Sequence, residues 1–424
     1  MVAYIQLQFS QRLSETWVRI DEGLLGQSEG LFHQPFTALQ AAARLEEAGV
    51  GSESRLVLAD LGKELVAALN QAGVGEALRV AVNQARAAQS TVLLQIRFDE
   101  GAVALASLPW ELLHDGRRHL LAAGAVDMTR YITYGESTTS LSVQAPLQVL
   151  HLGASPKDLP ALDIELSVSA LKGIPGLVVS TLTPPTYDAL LERLEAEPKP
   201  HIVHFDGHGL VEGGTSSICL QTADGRCDPV DADALQNVLY GRIALVVLNA
   251  CQTSAVDTSM ATVFGAMAPA LIQTGIPAVV GMQFPIADRS AIRFTEAFYG
   301  AIARGETLTR AMSAARRWLY REGTWHIPTL YLRTNDPEGV LLRPADNRAT
   351  GKDTHDLKKD IETLREEVKA LRELLSTHRR NLQYLRQHAA IYGAGAVPLH
   401  LINQIHHEEQ AIEKIEGELA QKEG

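Results

Sequence analysis

Two segments of this sequence carry side chains suited to nucleophilic chemistry. The apolar run His201-Ile-Val-His-Phe205 leads into Asp206-Gly-His-Gly209, and Ala244-Leu-Val-Val-Leu248 leads into Asn249-Ala-Cys-Gln-Thr253. Each run has the length and composition of a buried strand, and each ends in a short polar turn with one reactive side chain. Neighbouring parallel strands would set both turns on one edge of a sheet. There His208 can take the proton of the Cys251 thiol and leave a nucleophilic thiolate. The same His then returns a proton to the leaving amine. The amides of Gly207 and Cys251 are the candidate donors to a developing oxyanion. A buried Cys at a strand end, or a His in a Gly-rich turn, is more often structural when it stands alone. The joint pattern is what points to catalysis: strand, Gly-His-Gly, about 40 residues, strand, Ala-Cys.

An Ala-Cys motif with its His about 50 residues upstream is also the caspase order. His204-Phe-Asp-Gly-His-Gly209 and Asn249-Ala-Cys-Gln-Thr253 resemble the CHAT domain, a caspase-like cysteine peptidase family related to separase. Leu108-Pro-Trp-Glu-Leu-Leu113 is similar to a segment upstream of the catalytic motifs in that family. The resemblance covers residues 85–340. It implies a caspase–hemoglobinase fold, a His208/Cys251 dyad and endopeptidase activity. It also implies that the N-terminal module is a degenerate, inactive caspase-like half. Asp206 is expected to position the turn, and no third catalytic member is assigned.

The remaining candidates are weaker. The loop after the first strand of the active domain carries Asp158 and Asp163, acids that would favour a basic residue at the cleavage site. Asp163 is equally placed to cap the helix that follows. Gln283 and Asp288 follow a later strand and are further substrate-binding candidates. No metal site is read. His201 and His204 are three apart on a strand and face opposite ways, and Cys219 and Cys227 form no Cys-x-x-Cys pair. Gly209 to Gly214 lacks the Gly-Lys-Ser/Thr of a phosphate loop, so no cofactor is expected.

The elements that must position these residues alternate. Apolar strands are expected at Leu147–Leu152, Leu177–Leu182, His201–Phe205, Leu245–Leu248, Ala278–Met282 and Thr329–Leu332. Helices are expected at Asp163–Lys172, Tyr187–Glu195, Ala232–Leu239, Met260–Thr274, Ser290–Arg304 and Leu308–Arg321. This order predicts an α/β fold, a mostly parallel sheet sandwiched by helices. Residues 1–140 read as an α/β module of their own. A polar Ser/Thr-rich linker then leads into a peptidase domain over 146–345. Residues 351–424 carry 11 Lys or Arg and 13 Asp or Glu, a far higher charge density than the rest. Within them Leu357, Ile361, Leu364, Val368, Leu371, Leu375, Leu382 and Leu385 keep a 4-3 spacing, with His378 in one apolar slot. Gly393-Ala-Gly395 breaks it and Pro398 opens a second helix. Residues 354–424 are therefore expected to form a helical hairpin that self-associates or docks onto a partner protein.

Composition bounds the rest. A net charge of −12 argues against nucleic acid or an anionic membrane as partner,. Ser259–Ala287 holds no charge, but Pro269, Gly275, Pro277 and Pro285 interrupt it, so a buried helix and strand are read instead of a membrane span,. Three cysteines cannot build a disulfide framework, which fits a reducing compartment,. No signal peptide is read, and a cytoplasmic location is expected. The leading expectation is a cysteine endopeptidase with a protein substrate, free of cofactor, recruited through its tail and acting in bacterial defence or cell death. The alternative is a non-catalytic caspase-like scaffold that recruits partners through the same tail.

Overall fold

Apolar and polar residues alternate over Ile5–Phe9, and this segment is a strand whose apolar face is fully buried. In the computed structural model the described residues are 3–21, 27–49, 52–122, 124, 126–133, 142–212, 215–249, 260–334 and 336–343, with separate positions between 375 and 414. The chain begins with β1 (Ala3–Arg12), β2 (Glu15–Asp21) and β3 (Gln27–Leu31), followed by α1 (Ala38–Ala48), α2 (Ser52–Gln71) and α3 (Gly75–Ala87). Then come β4 (Val92–Phe98), two short 3-10 turns ending at Leu112, β5 (Val126–Ile132) and the short β6 (Val143–Gln144). The alternating part follows as β7 (Leu147–Gly153), α4 (Ile164–Lys172), β8 (Leu177–Thr181), α5 (Tyr187–Glu195) and β9 (Ile202–Asp206). A small excursion, β10 (Gly209–Glu212), β11 (Thr215–Gln221) and β12 (Cys227–Asp231), precedes α6 (Ala232–Leu239) and β13 (Leu245–Asn249). The unit closes with α7 (Met260–Gln273), β14 (Ala278–Met282), α8 (Asp288–Ala303), α9 (Leu308–Leu319), β15 (Pro328–Leu332) and β16 (Leu342–Arg343).

Eleven strands form one sheet in the order β3-β2-β1-β4-β5-β15-β14-β13-β9-β7-β8. Pairing is parallel from β1 through β4 and β5 to β15, and again from β14 through β13, β9 and β7 to β8. The β14–β15 pair is antiparallel and joins the two parallel runs, and β1–β2 and β2–β3 at the far edge are antiparallel as well. Helices α4, α8 and α9 pack together, while α5, α6, α7 and α1 form a second chain of contacts. The central strands β9, β13, β14 and β15 are buried along their whole length, as strands covered on both faces must be,. This is the mostly parallel, helix-covered α/β fold expected from the sequence.

The uncharged stretch that needed a membrane check divides as expected into α7 and β14. No helix among the described residues is long and apolar enough to cross a membrane. Residues 1–140 and 146–345 lie in one compact unit, residues 1–345, and residues 346–424 form a second. In the second unit the described positions between 375 and 386 and between 405 and 414 are helical. His378 Nδ1 lies 2.5 Å from Glu408 Oε2, and Arg386 donates to Glu409 at 2.7 Å. The slot that His378 occupies in the apolar pattern is therefore polar on both sides.

The Leu108–Leu113 motif has a structural role. Trp110 is fully buried against Phe9, Phe32 and Phe98, and its indole N–H donates to the Leu105 carbonyl at 2.8 Å. The next residue, Glu111, is fully buried and paired with Arg130 on β5. Its second oxygen is 3.6 Å from Arg316 on α9. Gln283, just past β14, donates to Glu111 at 3.0 Å and to the His326 carbonyl at 2.7 Å, and accepts from Arg130 at 3.2 Å. One buried carboxylate thus ties the first half of the sheet to the second. Glu111→Ala strands two guanidinium groups without their counter-ion and should lower stability by about 3–5 kcal/mol in urea titrations. Arg130→Ala should be comparably damaging. The double variant should fall well short of the sum, because both changes break one pair.

Candidate active site

The strands β9 and β13 are hydrogen-bonded neighbours, run parallel and stand in register with Asn249 opposite Asp206. β9 and β13 therefore end at the same edge of the sheet, and His208 and Cys251 each lie two residues further along the sequence from that register pair. Cys251 itself, with the rest of 250–259, lies outside the described residues.

Asp206 closes the end of β9 and is almost wholly buried. Its Oδ2 accepts from His151 Nε2 on β7 at 2.7 Å and from Ser167 Oγ on α4 at 2.5 Å. Its Oδ1 accepts from Asn249 Nδ2 at 2.7 Å. The buried Tyr299 hydroxyl, its pKa raised well above the ordinary value by burial, stays protonated and donates to His204 Nδ1 at 2.9 Å. The other ring nitrogen, His204 Nε2, lies 3.2 Å from Asp206 Oδ2. Burial lowers the His151 pKa below the usual imidazole value, so His151 donates as a neutral ring. Burial by itself would raise Asp206. The adjoining His204 and the hydrogen bond from His151 outweigh it and hold the carboxyl well below its usual range,. Asp206 therefore acts as a buried anion that fastens three strand ends and one helix, and its side chain serves the turn rather than the His208 ring.

His208 is 7% exposed. Its Nε2 is 2.8 Å from the Pro160 carbonyl, which can only accept, so Nε2 carries a proton and Nδ1 is the nitrogen that holds the lone pair whenever the ring is neutral,. The His208 carbonyl accepts from the Cys219 amide at 2.9 Å. Pro160 is a positioning group that side-chain reasoning has no means to find, because its contribution is a backbone carbonyl. His151 left a readable trace, a polar residue inside the apolar run Leu147–Leu152. Its register partner on β9 is His204.

The amides divide differently from expectation. The Gly207 N–H is directed to the Asn249 carbonyl, at 3.4 Å. A Cβ at Gly207 would also sit 2.3 Å from the Phe205 ring, so glycine is required here by packing. Gly209 stands opposite Ile218 in the antiparallel β10–β11 pair. Because Cys219 N–H reaches the His208 carbonyl, Gly209–Ile218 is a non-hydrogen-bonded pair, and the ladder does not use the Gly209 amide.

The four pocket candidates are not brought together. Asp163 caps α4, accepting from Leu166 N at 3.4 Å. Asp158 is exposed and accepts from the Cys227 amide at 2.9 Å. Gln283 is 4% exposed and spent on the Glu111 cluster, which takes it out of any open pocket. Asp288 is half-buried in the first turn of α8, where its charge suits the helix dipole,. His201 sits at the opposite end of β9 from His208, and its Nδ1 accepts from the Gln148 amide at 3.2 Å.

One expectation is overturned. Cys219 and Cys227 form a disulfide. The β11–β12 turn, unread in the sequence because short Ser/Thr-rich strands give little apolar signal, brings their Cα atoms to 5.2 Å. Cysteine usage therefore gives no support to a reducing compartment.

A mostly parallel, helix-covered sheet with His208 just beyond the end of β9 and the paired strand β13 beside it fits a caspase-like fold. The sequence matches the CHAT domain family over residues 59–384, and the chain belongs to that family. Two crystal structures of the Saccharomyces cerevisiae separase–securin complex are similar to it. Each has a TM-score of 0.45 and 11% identity, over 81% of this chain and 30% of that chain. The chain thus spans under a third of the length of those neighbours. No curated protein matches it.

Asp206→Ala removes the acceptor for three buried donors and should cost about 3–5 kcal/mol in chemical denaturation near neutral pH. The folded carboxyl is depressed, so its contribution is complete above the ordinary carboxylate range, about pH 4. The gap between wild type and variant should hold from pH 8 to 5 and shrink only as pH falls below about 4.

Proposed function

We propose that this protein is a cysteine endopeptidase that cleaves a protein substrate through His208 and Cys251. The observation that supports this most is the in-register Asp206–Asn249 pair, from which both motif turns depart. With Nε2 engaged by Pro160, the Nδ1 lone pair of His208 is the base. It takes the Cys251 proton, and the thiolate attacks the scissile carbonyl carbon. The amides of Gly209 and Cys251 hold the oxyanion, Gly209 replacing Gly207 in this role. His208 then passes its proton to the leaving amine as the C–N bond breaks. Water, deprotonated by the same ring, hydrolyses the thioester and restores the thiol.

Recruitment through residues 354–424, by self-association or by docking onto a partner protein, is the proposed handle for regulation. The helical positions linked by His378–Glu408 and Arg386–Glu409 support a paired-helix tail. A cytoplasmic setting and a part in bacterial defence or cell death rest on the family resemblance alone.

The test is a proteome-wide profile of new N-termini with wild type, Cys251→Ala and His208→Ala. Wild type should generate a defined set of cleavages that fixes the preferred residue before the cut. Either variant should lose them by at least ~1000-fold, since each removes the nucleophile or its base. Cleavage that persists in Cys251→Ala rejects the assignment.

A further inference from the structure

The disulfide is placed where it bears on the base. Cys219 and Cys227 each donate a backbone N–H, one to His208 itself and one to the loop that holds its ring. The Cys219 amide holds the His208 carbonyl at 2.9 Å. The Cys227 amide holds the Asp158 carboxylate at 2.9 Å, on the same loop whose Pro160 carbonyl fixes the His208 ring. That loop has further bonds to the same turn: Lys157 N to the Gly225 carbonyl at 2.9 Å and Gln221 Nε2 to the Ser155 carbonyl at 3.0 Å. The loop is thus gripped between His208 and the β11–β12 turn, and the covalent bond closes the grip.

We propose that Cys219–Cys227 is a reversible modification site, reduced by low-molecular-weight thiols, and that its oxidised form seats the Pro160 loop against His208. The two sulfurs differ in access, since Cys219 is wholly buried and Cys227 is partly exposed. An external thiolate attacks Cys227 Sγ, the S–S bond breaks, and Cys219 leaves as a thiolate that takes up a proton. A second thiolate attacks the external sulfur of the mixed disulfide, releasing Cys227 and a low-molecular-weight disulfide that carries away both sulfur atoms of the reductant. Two electrons pass from the external thiols to the protein. Oxidation by a low-molecular-weight disulfide runs the same steps backwards. Reduction leaves the β11–β12 ladder in place but removes its cross-link, so the loop and the His208 ring lose their fixed seat. Asp158, Pro160, Cys219 and Cys227 become positioning residues for the base. The effect on catalysis rests on the peptidase reading; the effect on the loop does not.

The experiment compares hydrogen exchange of the full chain, as purified and after dithiothreitol, by peptide mass spectrometry. Peptides covering 154–163 and 207–221 should exchange about tenfold faster after reduction, while the β13 and β14 peptides stay unchanged. A Cys219→Ser/Cys227→Ser variant should exchange at the reduced rate with or without the reductant. Its cleavage activity, and that of reduced wild type, should fall together through kcat. Equal exchange of these peptides before and after reduction overturns the proposal, as does purified protein in which both cysteines alkylate freely. Because exchange needs no substrate, it stays readable if the protein proves not to cleave peptides. In that case the peptidase reading fails and the loop clamp is still judged on its own.

Discussion

A single buried carboxylate, Asp206, sets the geometry on which the rest of the site depends. A charge taken out of water is tolerable only when its lone pairs are occupied. Here His151, Ser167 and Asn249 occupy them, from two neighbouring strands and one helix. Because these donors come from β7, α4 and β13, the register of β9 against both neighbours is coupled to their satisfaction. A slip of one residue along β9 would orphan every one of them and turn every strand side chain to the other face. His208 inherits its place from that constraint: two residues past the fixed pair, it has little freedom except in its ring, and the Pro160 carbonyl removes that.

The same logic recurs across the sheet. Glu111, with Arg130, Arg316 and Gln283, forms a second buried ionic cluster. It lies on the N-terminal side of the antiparallel β14–β15 junction, where two parallel half-sheets meet. Neither cluster is an economical route to stability, since well-packed apolar side chains would serve as well. Each instead admits one arrangement of the strands that supply it. The N-terminal half is thereby bound into the sheet whose β9 leads to His208.

Much of this was legible in the residues. Apolar runs of strand length, separated by helical periods, identify β7, β9, β13 and β14 as buried strands of a mostly parallel sheet, because such strands need near-continuous Val, Ile and Leu,. The adjacency of the two strands that lead into Gly-His-Gly and Ala-Cys is legible for the same reason. What escaped was carried by backbone or by distant partners. The Pro160 carbonyl has no residue-type signature. That the ladder leaves the Gly209 amide unused follows from antiparallel alternation in a hairpin whose strands are too polar to stand out,. The Cys219–Cys227 bond depends on that hairpin as well. Gln283 was read as facing substrate because it follows a strand end, yet the carboxylate that claims it lies 172 residues earlier in the chain.

In the proposed dyad His208, held through Nε2, presents Nδ1 to Cys251. With Cys219 and Cys227 joined, Cys251 is the remaining thiol, so its alkylation rate can be followed against pH in the unreduced protein. A free cysteine gains reactivity with a midpoint near pH 8.5. In wild type the rate should rise with a midpoint well below that value, and in His208→Ala it should return to it. Identical profiles for the two proteins would contradict the account.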